Sequence, residues 1–429
     1  MRASYIISSI VCCLLMLAYT EKQALAEDVS LDATPDTISP QIKRKTIVIV
    51  KRRPVKTESQ GVQLGSFILT PTVSLAEYYD DNVYATDSGT KHDVVTQITP
   101  EVNVKSNWKK HEINMNAGVE VTRFTKLTTE NTENAWANIA GRYDINRSQK
   151  ISADISYLQD HEDRASPDAL AGSTPTKYFV TTETLGYAGA SGNHFYKLIY
   201  SNKQFDFNDV TSTTGVINND DRDRNENGIG MRYLYKYSAN TAFFLKASVD
   251  KRSYNQTPDD NGDIRNSNGY QYDLGIQIVG TNRVSSLFIG QLKRDYKSSA
   301  FNDPSEVDFG LQHSWRFLPS SHLTVQVKRS IEETTLSNSP GYLMTDALSQ
   351  LTVDLSNDQS VFVSAALSQA KYYGITRKDD YQSIGAGYTH KIFEKLTVGV
   401  DLHHATRNSD ISGQDYKINQ VFLRMKAAI

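Results

Sequence analysis

The chain has 429 residues, Lys+Arg 46 against Asp+Glu 49, a formal net charge of -3 and a mean hydropathy of -0.47. After residue 20 no apolar run reaches the ~18 residues that a spanning helix needs, so a helical membrane protein is excluded. A membrane barrel is not excluded: each of its strands takes only about ten residues of alternating apolar and polar character, which average to a polar hydropathy.

In chain order the N-terminus comes first. Arg2 supplies a positive leader, Ile6 to Leu17 an apolar stretch, and Ala24-Leu25-Ala26 a small-residue cleavage site before Glu27. Residues 1–26 are predicted to be a secretory signal peptide. Cys12 and Cys13 are the only cysteines. A lipidated cysteine should follow the apolar stretch, and these lie inside it, so they read as small apolar members of the signal. The mature chain then has no disulfide framework and no thiolate metal or redox chemistry. Residues 27–64 carry Pro35, Pro40 and Pro54 and the basic groups Lys43-Arg44-Lys45, Lys51-Arg52-Arg53 and Lys56 around Ile47 to Val50. They are predicted to form a basic periplasmic leader with one short strand. The alternative is a docking arm for a periplasmic partner or an anionic surface.

From residue 65 to 429 the texture is uniform: segments rich in Val, Ile, Thr, Tyr and Phe alternate in hydrophobicity between turn signals. Ile113, Met115, Ala117, Val119 and Val121 share one face, with Asn114, Asn116, Gly118 and Glu120 on the other. Tyr270, Tyr272, Leu274, Ile276 and Ile278 oppose Gln271, Asp273, Gly275 and Gln277. Leu396, Val398, Val400 and Leu402 oppose Thr397, Gly399, Asp401 and His403. A period of two turns one set toward an apolar phase and the other toward a polar one.

Connections alternate between tight and long. Tight ones fall near Asn107, Asn146-Arg147, Gly192-Asn193, Ala239-Asn240, Thr281-Asn282, Pro319-Ser320, Asn357-Asp358 and Glu394. Long polar ones fall near 80–91, 126–132, 161–176, 209–221, 256–265, 298–304, 335–341, 374–379 and 408–414. Outer-membrane barrels put short turns on the periplasmic side and long loops outside. The segments between these signals predict an all-β fold, a transmembrane antiparallel up-and-down barrel of about eighteen strands, or about sixteen if a hairpin is miscounted. The location is the outer membrane of a Gram-negative cell, with both termini periplasmic. The partners expected there are membrane lipid, lipopolysaccharide and the barrel-assembly machinery; no nucleic-acid partner and no cofactor is expected.

Aromatic residues gather at strand ends. Tyr78, Tyr79, Phe124, Tyr178, Phe207, Tyr254, Tyr270, Tyr296, Tyr372, Tyr381 and Tyr416 lie near long loops. Trp108, Phe195, Tyr237, Trp315, Phe317 and Phe393 lie near short turns. Two aromatic girdles at the membrane interfaces are predicted from this. A soluble propeller would show a repeat of about forty residues, and none is visible. The last strand, Lys417 to Ala428, alternates with Val421, Leu423 and Met425 outward; it ends in Ile429 where a barrel-closing strand more often ends in an aromatic.

Three stretches resemble a known family. Pro71 to Tyr84 (PTVSLAEYYDDNVY) is followed by Asp93, the run Ile98 to Val102, and Trp108 and His111. Lys328 to Thr335 (KRSIEETT) and Asp415-Tyr416 come later. Their order and spacing resemble outer-membrane β-barrel porins of the type 2 family, over nearly all of 65–429. Members often accompany exopolysaccharide or capsule gene sets. The resemblance therefore implies a role in export of a secreted polysaccharide, with periplasmic export partners, and supplies no catalytic residues.

No GxSxG elbow, HExxH or phosphate-cradling glycine loop is present. His403 and His404 are neighbours on one strand and point to opposite faces. The loop Asp259-Asp260-Asn261-Gly262-Asp263 is oxygen-rich but lacks the spaced terminal Glu of a calcium loop, and reads as solvated. The lumen remains. If Leu323, Val325 and Val327 face lipid, Lys328 faces inward, and the same alternation sends Arg232, Lys246, Arg316 and Arg424 inward. Glu120, Asp154, Asp273, Asp308 and Asp401 follow on the acidic side. A Lys or Arg facing hydrocarbon at midplane costs roughly 2–4 kcal/mol, which enforces this parity. These ten are the candidate pore-lining residues, read either as pairs that brace the wall or as charges that sort solutes. The function expected is a porin-like channel for hydrophilic solutes. The alternatives are a non-conducting surface or scaffold protein, and a barrel lipid hydrolase with its Ser, His and Asn on separate strands.

Overall fold

The computed structural model describes residues 61–167, 169, 172–213 and 215–428. The predicted signal peptide, the basic stretch 43–56 and Ile429 lie outside the described residues. The alternation read above becomes β1 Phe67–Asp80, β2 Asp93–Ser106, β3 Glu112–Phe124, β4 Thr132–Asn146, β5 Gln149–His161 and β6 Lys177–Ser191. Next come β7 His194–Phe207, β8 Arg224–Lys236, β9 Thr241–Tyr254, β10 Ser267–Val279, β11 Arg283–Tyr296 and β12 Ser305–Trp315. The wall is completed by β13 Ser321–Glu333, β14 Gly341–Asp354, β15 Gln359–Tyr372, β16 Lys378–Phe393, β17 Leu396–Ser409 and β18 Tyr416–Ala428.

Each strand pairs antiparallel with its neighbours in the chain, and β1 pairs with β18 from Thr72↔Ala428 to Asp80↔Gln420. Closure leaves no first or last edge, the condition for a sheet to survive in lipid. Before the barrel, Val62–Leu64 folds back on the start of β1. In the loop after β7, Val210–Ser212 and Gly215–Ile217 form a small separate hairpin.

The connections fall where the turn signals placed them. β6 and β7 join through residues 192–193, where Gly192 takes a φ of 58°. That left-handed value lets a two-residue turn follow the twist of its strands, and it suits glycine. At the opposite end the chain needs residues 162–176 between β5 and β6 and 208–223 between β7 and β8.

Period two is written into the burial. On β10, Leu274 is 66% exposed and Asp273 beside it 1%. Leu423, Ile384, Ile289 and Ile155 stand exposed on the same outer face of their strands, which forms the apolar band. The inner face solves a packing problem by pairing large rings with glycine. Trp136 lies opposite Gly118, Phe244 opposite Gly275, Phe288 opposite Gly310, and Phe362 opposite Gly387. A Cβ on any of these four glycines would stand 2.2–2.4 Å from its ring. Each ring lies flat across the neighbouring strand, in space that only glycine leaves open.

The pairing between neighbouring wall strands is shortest at one place. β11 pairs with β12 from Arg283↔Trp315 to Lys293↔Ser305, and β13 with β14 from Ser321↔Val353 to Glu333↔Gly341. Between β12 and β13 only Leu311↔Val327 to Trp315↔Leu323 are paired.

Candidate functional site: the charged inner wall and its mouth

The inner face carries most of the predicted charges, and neighbouring strands pair them. Lys246 Nζ is 3.0 Å from Asp273, which stands directly opposite on β10, and lies 4.8 Å above the Phe288 ring. Arg424 Nε meets Asp401 at 2.6 Å and covers Phe422. Lys328 Nζ is 3.4 Å from Asp346, its register partner on β14. Asp308 accepts from Gln271 Nε2 at 2.7 Å. Glu120 accepts from Asn134 Nδ2 at 3.1 Å, and Asp154 accepts from Asn138. Arg232 differs: it donates to the neutral Gln277 at 3.1 Å and stacks on Phe244 at 4.4 Å.

Arg316 is a correction. β12 ends at Trp315, and Arg316 sits exposed in the following turn, its backbone N–H bonded to Asn282. Alternation carries no meaning once the strand has ended, so Arg316 is not part of the wall.

A cavity of about 450 Å³ lies against the inner wall of β7–β13. Eight basic and three acidic side chains contribute to its lining, among them Lys203, Arg232, Lys246 and Lys328 against Glu226, Asp250 and Glu332. A smaller cavity of about 140 Å³ lies toward β1, β3 and β17 and includes His403. His403 faces inward, edge-on to Phe422 at 5.3 Å, whereas His404 is exposed and bonded to Asn419 on the outer face. Among the described residues no group of three or more His, Cys, Asp or Glu is arranged to hold a metal ion.

At the long-loop end only part of the predicted girdle is present: Tyr79 and Tyr270 are exposed, but six of its members are not. Tyr254, Tyr296, Tyr372, Tyr381, Tyr416 and Phe207 are all buried. They share parity with inward polar residues and pack under loops that fold into the mouth. One cluster joins Ala85 and Ala165 from two loops to Tyr342, Ala370, Tyr372, Tyr381, Tyr416 and Ile418. At the short-turn end Trp108, Tyr237, Phe317 and Phe393 are exposed, whereas Phe195 packs against Leu234, Ala242 and Phe244.

Buried arginines clasp these loops. Arg265 is 1% exposed; its Nε meets Asp259 at 2.5 Å, its Nη1 donates to the carbonyls of Thr334 and Ser339 at 2.6 and 2.7 Å, and its Nη2 reaches that of Leu336 at 3.2 Å. The acidic loop at Asp259 is therefore not simply solvated: its first carboxylate anchors the loop 334–340. Arg222 binds Glu162 through both carboxylate oxygens at 2.7 and 3.0 Å, and Arg377 donates to Pro167 at 3.3 Å. Neither Arg265 nor Arg377 was singled out from sequence. An arginine in a loop carries no parity, and its partners on other loops lie 60 to 210 residues away.

Burial raises the Asp221 carboxyl to about 6, helped by Asp260 and Asp259 and opposed by Arg222 and Arg265. Asp223, beside it, is also raised to about 6, chiefly by burial.

Among solved structures the chain is similar to the outer membrane protein OpdK from Pseudomonas aeruginosa, at 8% identity over 84% of this chain and 99% of that one, with a TM-score of 0.45. It is similar to OccK3 (OpdO) of the same organism at 11% identity, 84% and 96% coverage and a TM-score of 0.44. The siderophore receptor PirA from Acinetobacter baumannii gives 7% identity, 84% and 80% coverage and a TM-score of 0.46. No curated protein matches the sequence. Residues 53–429 match the family described as "Putative beta-barrel porin 2"; the chain, a closed eighteen-strand barrel, belongs to that family of outer-membrane porins.

Proposed function

We propose that the barrel is a channel for hydrophilic solutes that favours anions, lined by Arg232, Lys246, Lys328, Arg424, Glu120, Asp154, Asp273, Asp308 and Asp401. The observation that carries this reading is Arg232. Bracing a wall needs charges in pairs, as Lys246 and Asp273 are, but Arg232 is held against a ring and a neutral amide. Its charge remains directed at the cavity, whose lining is predominantly basic.

A secreted polysaccharide is the cargo that the family resemblance favours, with the basic stretch 43–56 as the contact for periplasmic export partners. The signal peptide at 1–26 brings the chain to the assembly machinery. Both termini are periplasmic in this reading, because the starts of β1 and the end of β18 lie at the short-turn end. The clasped mouth favours a second reading, a barrel that is closed at rest and serves as a surface scaffold. Single-channel recording of the protein in a planar bilayer separates them. Stable openings that close on adding the polymer, with reduced anion preference in Arg232→Glu, are the expected result. A barrel that inserts and stays electrically silent would sink the channel reading.

A further inference from the structure

The wall has a lap joint between β12 and β13. Both strands continue past their last shared pair, Leu311↔Val327, β12 to Ser305 and β13 to Glu333, yet their backbones are no longer paired. The reason is that the upper β13–β14 hairpin bends inward. Ile331 and Leu343 stand on the outer face of their hairpin by alternation, yet they pack against Leu292, which is on the inner face of β11. Glu333, of the same parity, binds Arg252 and Tyr254 on the inner face of β9, the latter at 2.6 Å. The outer face of one sheet edge thus overlies the inner face of the other.

This leaves Ser305–Gly310, paired with β11 on one side, without a strand partner on the side facing β13, at a height where Val307 and Phe309 are exposed on the lipid face. Backbone in contact with hydrocarbon must be satisfied, and interrupted ladders are tolerated where they meet a polar or water-filled space. One side chain does part of this. Arg329 donates to the carbonyl of Val307, pairs with Glu306 at 3.8 Å, bonds Thr345 at 3.2 Å and lies 5.1 Å over Phe309. Behind it is the polar space: Leu311, Val327 and Arg329 belong to the same 450 Å³ cavity as Lys328 and Arg232.

We propose that this joint is a lateral portal, clasped by Arg329, through which a single-chain amphiphile with an anionic headgroup passes between the cavity and the outer half of the bilayer. The chemistry on each side selects that class. Outside, Val307, Phe309 and Leu311 offer an apolar rim for a hydrocarbon chain. Inside, Lys328 and Arg232 offer cations for a headgroup, and backbone N–H groups on the β13-facing edge of β12 can donate to its oxygens as it crosses. The portal is a route distinct from axial conduction through the mouth.

The sequence has no cysteine beyond Cys12 and Cys13, so a pair introduced across the joint reports cleanly. The test uses the protein in lipid nanodiscs with a diazirine-bearing hexadecanoate, photolysed and mapped by mass spectrometry. In the native barrel the label is expected on peptides holding Lys328 and Gln312. In Phe309→Cys/Arg329→Cys it is expected to be lost on oxidation and regained on reduction. Labelling that persists with the joint locked, or that never reaches these cavity peptides in the native barrel, would overturn the proposal. Should the disulfide fail to form, Arg329→Ala is expected to increase cavity labelling, and unchanged labelling counts against the portal. Conductance of the locked barrel reads the axial path alone, so a silent barrel refutes the channel and leaves the portal to its own test.

Discussion

At the scale of single residues the inner wall is held by charges and rings that cannot be changed one at a time. Lys246 and Asp273 are both buried, so removing one leaves the other's charge without its partner. Breaking such a pair costs about 3–5 kcal/mol, and replacing both partners with apolar side chains costs much less. Lys246→Met is therefore expected to lower the temperature at which the barrel loses its compact mobility on unheated gels, and Lys246→Met/Asp273→Leu to recover most of the loss. Equal losses in the two variants would show that the pair does not act as a unit. The ring-over-glycine contacts behave similarly for a steric reason. A Cβ at Gly275 would fall 2.2 Å from Phe244, so Gly275→Val is expected to cost about 1–3 kcal/mol by overpacking. Phe244→Leu should relieve the clash, and denaturant unfolding of the single and double variants measures that coupling.

Among the elements, loops and strands were unequally legible. Strand existence, parity and connection lengths follow from local chemistry, which is why tight turns such as 192–193 and long loops such as 162–176 appear where the turn residues put them. The direction in which a long loop folds does not follow from local chemistry. Tyr254, Tyr296, Tyr372 and Tyr416 share even spacing with inward residues on their own strands, a signal that the girdle prediction left unused. The mouth is also the place where pH should act. Asp221 and Asp223 ordinarily titrate near 3.8 and are raised to about 6 in the folded loops. Folding therefore favours their protonated forms: this contribution is full below about 4 and is lost as pH rises through about 6. Limited proteolysis within 208–223 is expected to speed up across that interval, and Asp221→Asn to weaken the dependence. A cleavage rate flat from pH 4 to 8 would contradict it. Arg265→Ala should free the loop 334–340 by removing its three carbonyl contacts. The measurement is amide exchange across 334–340, which should become fast while β10 stays protected.

For the whole molecule, closure and curvature decide what the inner charges can do. Lysines and arginines of β7, β8, β9 and β13 stand far apart in sequence, and the barrel brings Lys203, Arg232, Lys246 and Lys328 to one cavity. Mixed signs along the chain thus become a locally basic wall. Reversal potential under a salt gradient is expected to show anion preference in the native channel, and Arg232→Glu to shift it toward cations. No shift would assign Arg232 to bracing alone. The bent β13–β14 hairpin belongs to this scale as well, because only the fold shows Ile331 and Glu333 meeting side chains of strands that are not their sheet neighbours.

The barrel was legible in the chain: its strands, their parity and the alternation of short and long connections. This is because a strand in lipid must alternate with a period of two at every residue, a rule that needs no knowledge of partners. Arg316 failed under that rule only where the strand had ended. The tertiary structure alone decided the rest. Which charges pair, which loops close the mouth around Arg265 and Arg222, and where the wall overlaps itself at Arg329 all depend on contacts between distant segments. Those contacts have no period to betray them in a single chain.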